Sequence, residues 1–223
     1  MTLPVPAVLV ITDRGQAKRP LDEIAAALFA GGCRWLSLRE KDLPAGERRA
    51  LLQRLAALGR DCGAAVTIHD DLDVAAALGT GIHLPAEGAI AAARRRLGAQ
   101  ALIGISAHRP EEVAQAAAAG ADYATLSPIF LSASKPDYGP ALGLAALRGP
   151  WPLPVLALGG VDAGNAAACL TSGASGIAVM GEAMRAPDPS AFMAGLLSRL
   201  TGELVGLSVA AHSLDASHNG RAS

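Results

Sequence analysis

The sequence of 223 residues has few aromatic residues, little net charge and no long apolar run. Aromatic residues make up 3% of the chain and the formal net charge is −1, which excludes the basic, stacking surface typical of nucleic-acid-binding proteins. Although 51% of the residues are hydrophobic, no run approaches the ~18 apolar residues that a membrane span requires. We therefore expect neither a nucleic-acid partner nor a membrane span.

Cysteines are also scarce, and no targeting segment is evident. Cys33, Cys62 and Cys169 are an odd number without C-x-x-C spacing, which favours small buried thiols in a reducing compartment over disulfides. The opening MTLPVPAVLVITDRG lacks the basic start of a signal peptide. We therefore expect no signal peptide and a cytoplasmic location.

Short apolar runs alternate with longer Ala- and Leu-rich stretches of helical period. Eight β-like runs occur, at residues 7–13, 35–41, 64–70, 81–85, 101–108, 123–130, 154–161 and 176–183. They are apolar nearly throughout, as expected of parallel strands covered on both faces. Eight such strand–helix units predict an α/β protein with a single (β/α)8 TIM barrel, and a doubly wound open sheet is the alternative. We expect the barrel to span residues 1–202 and residues 203–223 to form a flexible tail.

The segment LSLREKD, residues 36–42, ends a predicted strand in four charged residues. Arg39 and Lys41 are two residues apart and therefore face the same way. A guanidinium and an ammonium group together suit a diphosphate, whereas the alternative is a solvated turn. Charged residues at the ends of other predicted strands, Asp70 and Lys135, favour the anion site, because all eight strands would end at one rim of the barrel.

Acidic residues and histidines follow other predicted strands. Asp70 and Asp71 are hard oxygen ligands suited to Mg²⁺, but Asp71 also fits the N-cap of a helix that begins at Leu72. His69 is either a ligand or, as is more common, an imidazole in the core, and we expect His83 to be structural. His108 fits two roles, an acid–base group near neutral pH and a packing or capping residue at a helix start.

The segment LALGGVDAGN resembles the phosphate-binding turn that follows the seventh strand of many barrels. Gly159 and Gly160 would let backbone amides approach an anion closely, just before the start of a helix. A tight turn without a ligand is the alternative.

Six segments in this order resemble the thiamine phosphate synthase family, which includes the thiazole tautomerases. They are LREKD, TIHDD, GIHLP, GISAH, ADYATLSPIF with the following LSASK, and LALGGV, and the resemblance covers about residues 5–200. It implies a TIM barrel that joins the pyrimidine moiety of thiamine, activated as its diphosphate, to thiazole phosphate, with thiamine phosphate and pyrophosphate as products. It also implies small phosphorylated substrates and Mg²⁺ as cofactor, and a homodimer is compatible with a barrel of this size.

The resemblance implies roles for individual positions. By this resemblance, Arg39 and Lys41 match the residues that bind the diphosphate, and Asp70 matches a Mg²⁺ ligand. Ser106 and Lys135 match residues near the leaving group. The positions that match the family's thiazole side are Ser132, Ser134, Gly159 and Gly160, supported by amides near Gly181.

Three positions depart from the family pattern. Ser37 stands where the synthases commonly have Gln, and His69 where they usually have a pyrimidine-binding Asn. In the segment PAEG, Gly88 takes the place of the second Mg²⁺ ligand, and Glu87 beside it is the substitute carboxylate. Such a loop is more like the tautomerase branch. We favour the synthase, and keep two alternatives: a tautomerase with His108 as its acid–base group, and a non-catalytic binder of thiamine or thiazole phosphates.

Overall fold

Eight parallel strands form a closed barrel in the order of the sequence, β1 to β8. The computed structural model describes residues 2–131 and 140–201. The strands are β1 Val8–Ile11, β2 Trp35–Leu38, β3 Ala65–His69, β4 Gly81–Leu84, β5 Ile103–Ala107, β6 Tyr123–Leu126, β7 Val155–Ala157 and β8 Gly176–Val179. Because β1 pairs with both β2 and β8, the sheet is closed. The predicted (β/α)8 barrel is confirmed, and the alternative of a doubly wound open sheet is excluded.

Helices follow the strands on the outside of the barrel. They are α1 Leu21–Ala30, α2 Ala45–Asp61, α3 Leu72–Leu78, α4 Ile90–Leu97, α5 Pro110–Ala118, α6 Ala166–Thr171 and α7 Gly181–Arg185, with a 3-10 helix at Leu144–Leu147 after β6. Residues 189–201 are also helical. The strands are shorter than the predicted runs because the polar ends of those runs belong to loops; Arg39 and Lys41, for example, follow β2.

Local sequence signals explain several helix ends. Pro110 occupies the first turn of α5, where a missing N–H costs no hydrogen bond. The Asp71 carboxylate accepts a hydrogen bond from the Val74 N–H at 3.0 Å and so caps α3. That helix ends at Leu78 and is followed by Gly79, whose φ of 64° lies in the left-handed region that favours glycine.

Two apolar layers result from the alternation of side chains along the strands. The larger layer lies between strands and helices and includes Val8, Val10, Leu36 and Leu38. The smaller one fills the barrel interior and consists of Leu9, Ile11, Trp35, Leu102, Tyr123, Leu156 and Ala178. Because the strands are parallel, all their carboxyl ends open at one rim, above this inner layer.

Two further expectations concern the cysteines and the membrane. Cys33 and Cys169 are buried free thiols, as predicted, but Cys62 is exposed at the end of α2, where the chain leaves the helix toward solvent. None of the helices in the described ranges has the length and apolar character needed to cross a membrane. The predicted tail, residues 203–223, lies outside the described residues, so the domain boundary stays a prediction.

Candidate active site

The strand register aligns polar side chains toward the rim of the barrel interior. Interior positions alternate with outward ones, and pairing places Ser37 beside Thr67, His69 beside His83, and Ser106 beside Thr125. The residues that continue these inward-facing rows at the rim are Arg39, His69, His83, Ser106 and Thr125. Charged and polar groups from five strands therefore converge above the apolar inner layer.

Arg39 and Lys41 line a cavity of about 330 Å³ between the loops that follow β1 and β2. The Arg39 N–H donates to the buried Thr12 hydroxyl at 2.9 Å, which fixes the start of the second loop. Within residues 2–131 and 140–201, no ion pair involves either Arg39 or Lys41. Two adjacent cations without a carboxylate partner are suited to bind an anion.

The acidic neighbours of this pair are engaged by Arg14. Glu40 is buried, with 3% of its surface exposed, and its carboxylate accepts hydrogen bonds from the Arg14 N–H at 3.2 and 3.1 Å. The Arg14 guanidinium lies 3.8 Å from Glu40 and also contacts Asp42. Arg14 thus neutralises the carboxylates of the REKD segment, and their charge competes less for Arg39 and Lys41.

A buried histidine connects two strands at the centre of the site. His83 Nδ1 lies 2.9 Å from the Tyr123 hydroxyl, and His83 Nε2 lies 3.0 Å from Ser106 Oγ. Burial, together with the positive charges of Arg39 and Lys41, lowers the pKa of His83 to about 3, so the imidazole is neutral near neutral pH. Burial also raises the pKa of Tyr123 above its usual value, and the phenol keeps its proton.

His69 lies beside this group in the barrel interior. Its ring centroid is 5.1 Å from that of His83, and its side chain is buried. Two roles were predicted as alternatives for His69, a ligand and an imidazole in the core. Its position at the carboxyl end of β3 is compatible with both, and its substrate-binding role stays a prediction.

Two buried hydroxyls in the interior have no hydrogen-bond partner among the described residues. They belong to Ser37 and Thr125, which are 1% and 0% exposed. Such groups are expected to be satisfied by water or by a polar ligand. Ser37 lies on the same inward-facing row as Arg39, so a ligand held by Arg39 would pass close to it.

The two aspartates after β3 differ in their surroundings. Asp71 is held by its cap contact with Val74 and by the Arg48 guanidinium, which donates from Nε at 3.0 Å and also from Nη2. The capping alternative for Asp71 therefore matches its contacts. Asp70 is exposed, and its φ of 55° is unusual for a residue other than glycine. Asp70 is thus the carboxylate of the pair that is available to a ligand.

A second metal-binding carboxylate is not preformed in the described residues. Glu87 is exposed in the turn after β4. At Gly88 a Cβ atom would lie 2.5 Å from Leu84 Cβ and 2.9 Å from the Pro85 carbonyl oxygen, so this turn has no room for an aspartate. No group of three metal-ligating side chains occurs among the residues described. One exposed carboxylate nevertheless fits Mg²⁺, which is commonly held by one or two carboxylates, water and substrate phosphates.

Gly159 and Gly160 line a second cavity, of about 240 Å³, together with Gly181 and Arg185. Their φ angles are 91° and 62°, and Cβ atoms there would lie 2.7 Å from Pro128 Cα and 2.5 Å from the Leu131 carbonyl oxygen. Both positions therefore require glycine. Neither N–H donates to another described residue, which leaves two amides for an anion.

The GGVDAGN loop is held rigidly by its own side chains. Asn165 Nδ2 donates to the Gly160 carbonyl oxygen at 2.8 Å, and its Oδ1 accepts from the Asp162 N–H at 2.9 Å. Asp162 in turn accepts from the Gly164 N–H at 2.7 Å. The glycine amides are thus preorganised, which lowers the entropic cost of binding an anion.

The loop after β1 lines the first cavity and contacts a residue that lines the second. Asp13, Arg14 and Gly15 line the cavity of Arg39 and Lys41. In the same loop, Gln16 Nε2 donates to Asp13 at 2.6 Å and Gln16 Oε1 accepts from Arg185, which lines the glycine cavity. The two cavities are therefore connected through this loop at one rim of the barrel.

His108 is anchored at the rim, half-buried at the end of β5. Its Nδ1 lies 3.0 Å from the Ser127 carbonyl oxygen, to which it donates, and its N–H donates to Glu112 at 2.7 Å. These contacts are compatible with packing at the start of α5. The catalytic role of His108 stays a prediction, and Ser132, Ser134 and Lys135 lie outside the described residues.

Some residues of the site escaped the sequence analysis. Tyr123 was assigned to a predicted strand, and neither Arg185 nor Arg14 was considered as a site residue. The one available signal was Gly104, a glycine inside a strand pattern, which often marks a close approach of another group.

A closed barrel with two cations and a glycine turn at one rim is typical of TIM-barrel enzymes that act on phosphorylated small molecules. Comparison with known proteins narrows this class. The family model described as thiamine monophosphate synthase matches residues 8–183. The chain therefore belongs to the thiamine monophosphate synthase family.

Individual relatives agree with this assignment. The chain is 40% identical over 194 residues to the thiamine-phosphate synthase of Roseiflexus sp. (strain RS-1), which covers 82% of this chain and 80% of the relative. It is also 40% identical over 191 residues to that of Chromobacterium violaceum, with 84% and 92% covered. Among solved structures, the thiamine phosphate pyrophosphorylase from Pyrococcus furiosus is similar with a TM-score of 0.79 and 30% identity, over 87% of this chain and 95% of that one.

Proposed function

We propose that this chain is a transferase that condenses hydroxymethylpyrimidine diphosphate with thiazole phosphate to give thiamine phosphate and pyrophosphate. Family membership and the names of the relatives support this reaction. The observation that carries the proposal is the pair of neighbouring cavities. One holds Arg39 and Lys41, which form no ion pair with another described residue, and the other holds the Gly159–Gly160 amides. A reaction between two phosphorylated substrates needs two such sites side by side.

The cationic cavity is suited to the diphosphate, which is the leaving group. The bond between the pyrimidine methylene carbon and the diphosphate oxygen breaks, and its electron pair leaves with pyrophosphate. The electron-rich aminopyrimidine stabilises the resulting carbocation. Arg39, Lys41 and Ser106 stabilise the charge that develops on pyrophosphate, and they act strongly because they are already oriented before the reaction. Lys135 is the fourth proposed member of this set.

The glycine cavity is suited to the phosphate of the thiazole. The amides of Gly159 and Gly160, with support near Gly181, would bind its oxygens, and Ser132 and Ser134 would complete that side. The thiazole nitrogen then donates its lone pair to the carbocation and forms the new C–N bond. Holding both substrates at one rim converts the encounter into an intramolecular step and keeps water from capturing the cation.

The pyrimidine ring would lie over the polar interior between the two sites. Ser37 and Thr125, whose hydroxyls have no hydrogen-bond partner among the described residues, would bond to its nitrogens, and His69 lies nearby at the end of β3. Ser37 and His69 differ from the residues that the family usually has at these positions. We propose that they serve the same ring with different hydrogen bonds.

Asp70, with Glu87 on the neighbouring loop, would hold Mg²⁺ together with the substrate diphosphate. When bound, the ion neutralises negative charge on the diphosphate. Because the protein supplies so few carboxylates, the ion would bind mainly as a complex with the substrate.

A thiazole tautomerase is the second candidate, favoured by the PAEG turn with Gly88 in place of an acid. It would move a proton with His108 and need no metal. The relatives named thiamine-phosphate synthase favour the first reaction. A non-catalytic binder of thiamine or thiazole phosphates would keep the glycine cavity but release no pyrophosphate.

One assay separates these candidates. Purified protein is incubated with both substrates at several Mg²⁺ concentrations, and thiamine phosphate and pyrophosphate are quantified. Equal amounts of the two products are expected. If neither forms at any Mg²⁺ concentration, the synthase proposal is wrong, and proton exchange in thiazole carboxylate phosphate then tests the tautomerase. The homodimer and the cytoplasmic location stay predictions.

A further inference from the structure

We propose that Tyr123 and His83 are positioning residues that hold the Ser106 hydroxyl as a hydrogen-bond donor toward the leaving pyrophosphate. The identity of the anion rests on the proposed function. The orientation of the Ser106 hydroxyl is argued independently, from the contacts among three neighbouring strands. His83 was expected to be structural only, and Tyr123 was not recognised as part of the site.

The three side chains form a continuous row across β4, β5 and β6. His83 lies on β4, Ser106 on β5 and Tyr123 on β6. Tyr123 reaches His83 by lying across Gly104 of the intervening strand, where a Cβ atom would stand 2.4 Å from the phenol oxygen. The space that this row needs is therefore provided by the backbone of β5, which carries no side chain at Gly104.

The direction of the hydrogen bonds follows from the donors available. A neutral imidazole has one N–H and one acceptor nitrogen. Among the described residues, His83 Nδ1 is the one hydrogen-bond partner of the Tyr123 hydroxyl. The fully buried Tyr123 keeps its hydrogen bond as a donor only if Nδ1 is the acceptor. The His83 proton is then on Nε2, and it is donated to Ser106 Oγ.

The reverse order would leave a proton without an acceptor. If Ser106 donated to Nε2, Nδ1 would carry the proton and Tyr123 would have to accept it. The phenol proton would then be buried with no acceptor among the described residues, which is unfavourable.

The orientation of Ser106 has a consequence at the rim. Because Nε2–H occupies a lone pair of Ser106 Oγ, the serine's own proton is free to point away from His83. Ser106 is half-buried at the carboxyl end of β5, and its partner His83, whose pKa is lowered by burial, is close enough to Arg39 and Lys41 for their charges to lower that pKa further. Each group donates to the next, so the row is polarised in the sense that stabilises negative charge at its end.

The first test reads the tautomer directly. The full-length protein is labelled with ¹⁵N-histidine, and long-range ¹H–¹⁵N correlations identify the protonated nitrogen of each ring. The five histidines are distinguished by the loss of one set of signals in His83→Gln. We expect Nε2–H for His83. A protonated Nδ1 would overturn the proposal, whether or not the protein makes thiamine phosphate.

The second test measures whether the row acts through Ser106. Inorganic pyrophosphate is titrated into the wild type, Tyr123→Phe, Ser106→Ala and the double variant by calorimetry. Each single change should weaken binding about three- to tenfold, as loss or weakening of one hydrogen bond to an anion does. In the double variant Tyr123→Phe should add less than twofold. Equal factors in both backgrounds would overturn the proposal, because Tyr123 would then act without Ser106.

The third test uses turnover and a conservative rescue. Tyr123→Phe should lower kcat about tenfold while KM changes less than threefold, because the charge on pyrophosphate develops in the transition state. His83→Gln, whose amide can accept from Tyr123 and donate to Ser106, should retain at least fivefold more kcat than His83→Leu. Equal losses in these two would contradict a positioning role. If no variant or wild type turns over, the proposed function fails while the first two tests still decide this inference.

Discussion

Tyr123 lies so close to Gly104 that a Cβ atom at position 104 would stand 2.0 Å from Tyr123 Cζ. The Tyr123 ring also packs edge-on against Trp35 at a centroid distance of 4.6 Å, which restricts its movement away from position 104. A glycine of β5 thus provides the space in which a tyrosine of β6 reaches a histidine of β4. The Tyr123–His83–Ser106 row therefore requires glycine, which has no Cβ atom, at position 104.

Gly104→Ala should therefore displace Tyr123 and lower both stability and turnover. Overpacking of a tight core costs about 1–3 kcal/mol of unfolding free energy, and we expect kcat to fall about tenfold as the His83 contact is lost. Gly195→Ala is the matched control, since a Cβ atom there meets nothing within 4 Å and alanine favours helix. Chemical denaturation and steady-state kinetics of both variants give the comparison. A Gly104→Ala variant as stable and as active as wild type would contradict the packing argument.

Substitution of Gly160 tests the glycine cavity. Gly160→Ala combines a left-handed backbone, φ 62°, with a Cβ atom 2.8 Å from Phe130 Cβ. We expect the KM for thiazole phosphate to rise about tenfold or more, because the amides leave their positions, while the KM for the pyrimidine diphosphate changes little. Initial rates with one substrate varied and the other saturating provide the measurement.

Gly63→Ala is the control for backbone strain alone. Gly63 has a φ of 64°, and a Cβ atom there meets nothing within 4 Å. It should cost about 1 kcal/mol of stability and leave both KM values unchanged. If Gly63→Ala raised the KM for thiazole phosphate as much as Gly160→Ala, the effect would come from general destabilisation.

The cation pair should contribute to both binding and catalysis. Lys41→Ala should raise the KM for the pyrimidine diphosphate and lower kcat, each about tenfold or more, because the charge interacts with bound diphosphate and with departing pyrophosphate. Arg95→Ala, at an exposed position on α4, is the control and should change neither. An unchanged kcat in Lys41→Ala would argue against a role in stabilising the leaving group.

Magnesium should bind to the enzyme–substrate complex far better than to the protein alone. Calorimetric titration of MgCl₂ into the protein should show no saturable binding at millimolar concentration, and Asp70→Asn should raise the Mg²⁺ concentration needed for half-maximal rate several-fold. Glu87→Gln should have a smaller effect, because Glu87 is exposed on a separate turn. Tight binding of Mg²⁺ to the free protein would show that the site has more carboxylate ligands than Asp70 and Glu87.

The sequence predicted the barrel well because the strand–helix pattern that indicates it is repeated eight times. Eight apolar runs of similar spacing each support the same fold, so an error in one boundary does not change the outcome. The end of β2 was placed at Lys41 instead of Leu38, yet Arg39 and Lys41 still follow a strand at the rim. The capping role of Asp71 was also readable, because a cap depends only on residues nearby in sequence.

Contacts between distant residues were less accessible to sequence reasoning. The Tyr123–His83–Ser106 row joins residues 23 and 40 positions apart, and its direction depends on which protons are buried. The pairing of Arg14 with Glu40 likewise joins two loops that adjoin only when the barrel closes. Glycine 104 was visible as an interruption of a strand, but the side chain that fills its space was not.

The buried His83 should make the stability of the fold fall in mild acid. Its pKa is lowered from 6.5 to about 3 in the folded protein, so between these values the unfolded chain binds one more proton than the folded chain. Stability then rises with pH across this window and is lost as the pH falls below about 6.5. At pH 5 the loss attributable to His83 is about 2 kcal/mol. In His83→Gln this part of the dependence should disappear, which urea denaturation at pH 7, 6 and 5 would measure. A wild type and variant with parallel profiles would show that His83 is protonated as easily in the folded protein as in the unfolded chain, and would remove the basis for a neutral imidazole between Tyr123 and Ser106.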